Sequence, residues 1–312
     1  MHPALSIIFF TTASGAGFGL FAILSLYSLF GTLDAKPFVI MCAMGLILII
    51  LGLFSSTLHL ANPKNAWRAF SRFKTSWLAR EAVMAIAFFP VVSLWMLGWW
   101  LGVAEQAYAL WVIACLFTLV LAMATVFSTG MIYACLKTIP QWNNAMTPLN
   151  YILLSLMTGS LLMSATLNET DTFADTILVL SLTLIIISAI SKLIYYTWLG
   201  TPQGSTIATA TGFTRGAVRL LDVGHTSGTF LTDEFGYVIT KNRSLLLRVA
   251  VFVMAFVLPA LLLIGTILKI GTPIPLILIA LLSSLIGVLI ERWLFFAEAR
   301  HVVNLYHGTA NA

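Results

Sequence analysis

The sequence predicts an all-α integral membrane protein, a bundle of eight transmembrane helices with both termini in the cytoplasm. Three observations predict this fold: a very apolar composition, eight runs long enough to cross a bilayer, and a one-sided distribution of basic residues. We expect residues 1–312 to form a single membrane-anchor domain.

The composition argues against soluble protein classes. Of the 312 residues, 60% are hydrophobic and 9% are charged, and the mean hydropathy is +1.00. Soluble domains carry about 25% charged residues, so we do not expect a water-soluble globular enzyme. The formal net charge of +5 does not indicate a nucleic-acid binder. The basic residues lie mainly on one side of the predicted bundle, where they indicate its orientation in the membrane.

Eight apolar runs reach the length of about 20 residues that a helix needs to cross the hydrocarbon core. Backbone groups in lipid must bond internally, so these runs are predicted to be helices. The first run has no basic segment before it and is too long for a cleaved signal peptide, so we expect it to be helix one. The predicted spans are roughly 4–30, 38–60, 81–102, 108–136, 148–167, 174–199, 246–268 and 274–297.

The basic residues predict the orientation of the bundle. With eight spans both termini share one side, and that side holds 13 of the 16 Lys and Arg residues, mainly in the 61–80 loop, the 200–248 loop and the tail. The other side holds Lys36 and Lys269, while Lys192 falls within the sixth span. Cytoplasmic loops are enriched in Lys and Arg. We therefore expect both basic loops, including a substantial loop at about 200–245, on the cytoplasmic side of a bacterial inner membrane.

The cysteines and histidines argue against a metal or haem centre in this protein. The three cysteines form no Cys-x-x-Cys pair, as a zinc site or an iron–sulfur cluster would require. A haem between helices needs axial histidines in the membrane, and His59 alone among five histidines lies at a helix end. We expect no haem and no metal here.

His59 and Glu81 are the strongest candidates for chemistry. His59 ends the second span and Glu81 opens the third, so both are expected at the same end of the bundle. Histidine titrates near neutral pH, and an acid at the bilayer edge usually faces a cavity or a partner. A proton-handling site facing the cytoplasm is one interpretation. The other is an interfacial histidine and a glutamate favoured by the helix dipole and paired with Arg80.

Helix one carries Gly15 and Gly19, which match Gly-x-x-x-Gly. Close helix packing is the favoured interpretation of this pair. In the alternative, small residues let a flat ligand approach helix one near Ser14.

Three motifs resemble the membrane-anchor subunit family of dimethyl sulfoxide reductase. One runs from Ser55 through His59 to Pro63 and continues with residues 66–70; the second is Trp77-Leu78-Ala79-Arg80-Glu81. The third runs from Met131-Ile132-Tyr133 to Thr138-Ile139-Pro140-Gln141-Trp142. With the eight spans, the resemblance extends over nearly the whole sequence. The Glu291–Ala299 tail and Gly212–Leu221 are similar to one branch of this family, the anchor of membrane-bound sulfite:quinone oxidoreductase.

The resemblance implies a three-subunit complex. A molybdopterin catalytic subunit passes electrons along an iron–sulfur subunit, and the haem-free anchor exchanges them with ubiquinone or menaquinone. The histidine of the family's His-Leu motif corresponds to His59 and is implied at the quinone site. The residues expected to dock the iron–sulfur subunit are Trp67, Arg68, Arg72, Lys74, Arg215, Arg219 and His225.

The resulting hypothesis is quinone reduction coupled to cytoplasmic sulfite oxidation on the catalytic subunit. His59 would bond or protonate a quinone oxygen, Glu81 would resupply protons, and Arg80 would fix the Glu81 carboxylate and stabilise negative charge. Tyr133 and Ser14 are expected to line the pocket. Three alternatives stay open: an anchor that oxidises menaquinol for a dimethyl sulfoxide-type reductase, a secondary transporter, and a structural tether without quinone contact.

Overall fold

The computed structural model describes residues 3–31, 33–58, 62–167, 173–199, 206–213, 216, 218–222, 227, 229 and 235–307. Within these residues the protein is an all-α integral membrane protein with eight helices long and apolar enough to cross a bilayer, and no strand. The eight helices are α1 Leu5–Tyr27, α2 Ala35–Thr57, α3 Trp77–Trp100, α4 Tyr108–Ala134, α5 Met146–Ser164, α6 Ala174–Leu199, α7 Lys241–Ile267 and α8 Pro273–Ala297.

The predicted spans agree with these helices, with shifts at several ends. The largest shifts are at the starts of α3 and α7, which begin before the predicted residues 81 and 246. At α3 the Ser76 hydroxyl accepts a hydrogen bond from the Ala79 backbone N–H, so the helix begins at Trp77. At α7 the polar turn Lys241–Ser244 is helical, which hydropathy alone does not reveal.

Helix α1 lies at the centre of the bundle and packs against α2, α4, α5 and α8. Its crossing with α5 is close because glycines face each other: a Cβ on Gly19 would overlap the Ser155 backbone, and one on Gly159 would overlap Gly19. The packing interpretation is therefore confirmed for Gly19. Gly15 differs, because a Cβ there would meet nothing within 4 Å.

Helix α7 contains a π-helical segment, Phe252–Val257, just before Pro259. Proline lacks the N–H that would bond the carbonyl four residues earlier, here that of Ala255. Two serines of α8 bond the carbonyls of this segment: Ser283 donates to Met254 at 2.8 Å and Ser284 donates to Ala255 at 3.5 Å. The irregular backbone is thus satisfied inside the bundle, as lipid requires.

One end of the bundle, called here the basic end, carries the starts of α1, α3, α5 and α7 and the ends of the other four helices. Long-range hydrogen bonds hold this end together. Ser55 donates to the Ser6 carbonyl at 2.9 Å, and Trp142 Nε1 donates to the Phe295 carbonyl at 2.9 Å. The 3₁₀ helices Pro63–Arg72 and Val302–His307 lie at the same end.

Candidate functional site

Glu81 is a buried carboxyl group in the second turn of α3. Its side chain is 5% exposed, and Thr129 of α4 donates a hydrogen bond to Glu81 Oε1. Thr129 Oγ1 also lies 3.0 Å from the Thr125 carbonyl. An ionisable group within a membrane span is costly and commonly functional, so Glu81 stays a candidate for the chemistry at this end of the bundle.

Arg80 lies beside Glu81 in the sequence but does not hold its carboxylate, so that expectation was wrong. Arg80 Nε donates to the Phe73 carbonyl at 3.0 Å, and Nη2 donates to the Lys74 carbonyl at 2.8 Å. Its guanidinium lies 4.1 Å from the centroid of the Trp77 ring. The reason is helical geometry, because consecutive side chains point about 100° apart. Arg80 therefore fixes the segment that leads into α3.

A groove of about 480 Å³ opens between α3 and α4 beside Glu81. Ligand pockets typically measure about 300–1,000 Å³, so the groove has room for a substituted ring. The Trp77 and Phe127 rings meet edge to face at 5.8 Å in its wall, and Arg80 brings a positive charge. The groove is lined by Phe73, Lys74, Trp77, Arg80, Met84, Ala124, Phe127 and Ser128.

An internal cavity lies on the α1 side of Thr129. Its volume is about 10 Å³, and Thr129, Thr12, Tyr151 and Arg292 are among the residues that line it. Ser14 also lines this cavity, and its hydroxyl donates to the Phe10 carbonyl at 2.7 Å. Ser14 is therefore placed on the internal cavity and does not line the groove.

Tyr133 belongs to an aromatic cluster at the end of α4. Its ring stacks on Tyr151 with centroids 5.8 Å apart and meets the edges of Trp142, Phe295 and Phe296. This cluster joins α4, α5 and α8 beside the internal cavity, because Tyr151 belongs to both. Tyr133 is thus near Tyr151 but does not line the groove.

The sequence-based candidates missed a buried ion cluster formed by Lys192 of α6 with Glu291 and Arg292 of α8. Lys192 pairs with Glu291 Oε1, and Arg292 Nη1 lies 3.3 Å from Glu291 Oε2. Arg292, one of the 13 basic residues assigned to the cytoplasmic side from the sequence, lies inside the last span. The signal that could have revealed the cluster is a lone lysine in the sixth span together with an acidic residue in the last.

The candidate docking residues are only partly described. His59, Arg215 and His225 lie outside the described residues. The Arg68 guanidinium lies 5.8 Å from the Trp67 ring centroid, and both side chains are exposed on the 3₁₀ helix. Among the candidate docking residues, the basic side chains that are described and exposed are Arg68, Arg72, Lys74 and Arg219.

Comparison with known proteins identifies relatives along the whole sequence. The family profile described as DMSO reductase anchor subunit (DmsC) matches residues 1–297. The C subunit of sulfite dehydrogenase from Allochromatium vinosum is 36% identical, over 98% of this protein and 99% of that one. The C polypeptide of anaerobic dimethyl sulfoxide reductase from Escherichia coli is 31% identical, over 50% of this protein and 55% of that one. The YnfH polypeptide of anaerobic dimethyl sulfoxide reductase from the same organism is 32% identical, over 39% and 42%.

Proposed function

The protein belongs to the DMSO reductase anchor subunit (DmsC) family, and from this premise we propose that it binds quinone and delivers to it the electrons of a partner subunit. The partners proposed are an iron–sulfur electron-transfer subunit and a molybdopterin catalytic subunit. The anchor's own contribution is to position the quinone and to supply protons, while the partners' metal centres perform the electron transfer.

The observation that carries this proposal is the buried carboxyl of Glu81 on α3, the helix that forms one wall of the groove of about 480 Å³. Quinone is the substrate, and its reduction takes up two electrons and two protons. A membrane-dissolved ring can reach the groove laterally and lie against the aromatic side chains Trp77 and Phe127. Glu81 is not among the groove-lining residues but shares a face of α3 with Trp77 and Met84, which do line it, and from there its carboxyl is proposed to hand on a proton.

The neighbouring residues have distinct roles in this site. Arg80 and Lys74 bring positive charge to the groove and favour a ring that has gained electrons. The Ser128 hydroxyl, which is bonded to Met84 Sδ at 3.6 Å, is close enough to the groove to bond a ring oxygen. Thr129 orients the Glu81 carboxyl. His59 remains our candidate for the bond to a quinone oxygen.

The catalytic partner is proposed to oxidise sulfite. This assignment is supported by the near-complete alignment with the sulfite dehydrogenase polypeptide of A. vinosum. An anchor that works in the opposite direction, oxidising menaquinol for a dimethyl sulfoxide reductase, is the second candidate, supported by the shorter alignments with the two E. coli polypeptides.

The basic end is proposed to face the cytoplasm of a bacterial inner membrane and to dock the iron–sulfur subunit. The charge asymmetry of the loops supports the orientation. The exposed 3₁₀ helix Pro63–Arg72 and Arg219 supply cationic and aromatic groups for the contact. Together with the loop at about 200–245, they form the proposed docking surface.

The test is Glu81→Gln in the assembled complex, with Glu105→Gln as the matched control. Glu105 is an exposed carboxyl at the opposite end of the bundle. Glutamine keeps the oxygen that accepts from Thr129 but carries no acidic proton, so we expect donor-driven quinone reduction to fall by about 100-fold or more. Binding of a quinone analogue should persist. Equal turnover of the two variants would contradict the role of Glu81.

A further inference from the structure

The buried ion cluster of Lys192, Glu291 and Arg292 has no role in the quinone site described above. All three side chains are nearly inaccessible, with exposed fractions of 1–3%. Two cations share one carboxylate, so the cluster carries an excess positive charge when every member is ionised. Excess charge inside a membrane span is costly, and such groups commonly mark proton relays or ligand sites.

Lys192 is the member that can relieve the excess charge by releasing a proton. Arginine keeps its proton in proteins, whereas the lysine ammonium can lose one when it is buried. A neutral Lys192 leaves Glu291 and Arg292 as a balanced pair 3.3 Å apart. The cluster can therefore exchange a proton without leaving a carboxylate uncompensated.

The internal cavity joins this cluster to Glu81. Its wall contains Arg292 and Tyr151, and it also contains Thr129, which donates to Glu81. In the described part of the protein, Thr12 Oγ1, Tyr151 Oη and Arg292 Nε have no hydrogen-bond partner. A buried water makes two to four hydrogen bonds and needs a cavity of about 10–15 Å³. The cavity therefore has both the size and the polar groups to hold one water molecule.

The other side of the cluster leads to the surface at the basic end. The Tyr196 ring centroid lies 4.9 Å from Lys192 Nζ and 4.8 Å from Arg248 Cζ. Arg248 Nε lies 2.8 Å from Glu298 Oε1, and Arg248 is 26% exposed. The Tyr196 ring thus lies between the partly exposed Arg248 and the buried Lys192.

We propose that Lys192, Glu291, Tyr151 and one water in the internal cavity form a proton path from the basic-end surface to Glu81. This inference rests on the proposed quinone reduction and names the source of its protons. Arg292 is a positioning residue in the path, because its fixed charge holds Glu291 and its Nε donates to the water.

The path moves protons only, since the electrons come from the iron–sulfur partner. When Glu81 protonates a quinone oxygen, the carboxyl O–H bond breaks and an O–H bond forms on the product. The Thr129 hydroxyl then donates its proton to the Glu81 carboxylate and takes a proton from the cavity water. The cavity water takes a proton from Tyr151, Tyr151 takes one from Glu291, and Glu291 takes one from the Lys192 ammonium. Lys192 then takes a proton from surface water. Each cycle of the path transfers one proton from the surface to the product, so two cycles supply the two protons that one quinone takes up.

The decisive experiment compares Lys192→Met with Lys192→Arg in the assembled complex, using a short-chain quinone as acceptor. Arginine restores the positive charge but cannot release a proton. We expect both variants to lose about 100-fold in kcat, the low end for a positioned proton-transfer group, with unchanged KM for the quinone. A structural ion pair would instead be rescued by arginine, so normal turnover of Lys192→Arg would overturn the path.

A second pair of variants keeps every charge in place. Tyr151→Phe removes one hydroxyl from the cavity and keeps the stacked ring, so it decides the matter even if the lysine variants fail to assemble. Tyr195→Phe is the matched control, because its equally buried hydroxyl donates to the Gln141 carbonyl at 3.1 Å. We expect Tyr151→Phe alone to slow turnover and to raise the solvent deuterium isotope effect on kcat. Equal isotope effects in the two variants would overturn the path.

The wild-type complex separates this inference from the proposed function. If wild type fails to reduce or bind the quinone, the proposed function is wrong and the path falls with it. If wild type reduces quinone and both Lys192→Met and Tyr151→Phe match it, only the path is refuted.

Discussion

Glu291→Gln is expected to destabilise the protein far more than Lys192→Met, although both substitutions remove one charge from the same cluster. The difference follows from the charges that remain. Without Glu291 the buried Arg292 has no counter-charge, even when Lys192 is neutral. Without Lys192 the Glu291 and Arg292 side chains still form a balanced pair 3.3 Å apart.

The magnitude follows from the burial of the cluster, whose members are at most 3% exposed. Leaving a buried charge uncompensated costs about 3–5 kcal/mol. Replacing the lysine with methionine loses a charge-assisted hydrogen bond worth about 1.5–3 kcal/mol but also removes the cost of burying an ammonium group. We therefore expect the midpoint of thermal unfolding to fall by about 6–10 °C for Glu291→Gln, at roughly 2 °C per kcal/mol, and by much less for Lys192→Met.

The protein's own cysteines provide the assay. Cys42 and Cys115 are buried and free, and Cys135 is exposed. Maleimide labelling of the Cys42 and Cys115 peptides, read by mass spectrometry as the membranes are heated, reports unfolding of this subunit within the complex. Cys135 should be labelled at every temperature and serves as the internal control. Equal midpoints for the two variants, or a lower one for Lys192→Met, would refute the charge argument.

Three further predictions concern packing, the Glu81 bond and topology. Gly19→Ala should lower the midpoint of thermal unfolding, because overpacking costs about 1–3 kcal/mol. Gly15→Ala places its methyl group in free space and should leave the midpoint unchanged or raised. A lower midpoint for Gly15→Ala than for Gly19→Ala would contradict the close crossing of α1 and α5. Thr129→Val should slow quinone reduction by about 100-fold, because it removes the hydroxyl that passes protons to Glu81. Unchanged kinetics would remove Thr129 from the mechanism. A membrane-impermeant thiol reagent added to intact cells should label a cysteine introduced by Glu105→Cys and spare Cys135, and the opposite pattern would reverse the proposed orientation.

Hydropathy and length were sufficient to predict the eight membrane spans, because a lipid environment imposes both on a helix. Glu81 was found for the same reason, since an acid at the edge of an apolar run stands out. The polar partner of Glu81 could not be predicted, because Thr129 is 48 residues away and threonine is common in spans. The assumed partner, Arg80, is adjacent in sequence but points elsewhere.

The ion cluster shows a second limit of one-dimensional patterns. Lys192 and Glu291 are 99 residues apart, and their pairing depends on how α6 and α8 meet. Each charge is detectable as an exception within an apolar span, but its partner is not. The same holds for Gly15 and Gly19, which look equivalent in sequence and differ in whether another backbone lies against them.

The location of the bound quinone tests the account most directly. A photoreactive quinone analogue, illuminated in membranes containing the assembled complex, should label peptides within residues 73–84 and 124–128, the wall of the α3–α4 groove. Unlabelled quinone should compete with it. Specific labelling confined to a different apolar groove at this end of the bundle, which Leu5, Tyr237 and Trp293 help to line, would contradict the account.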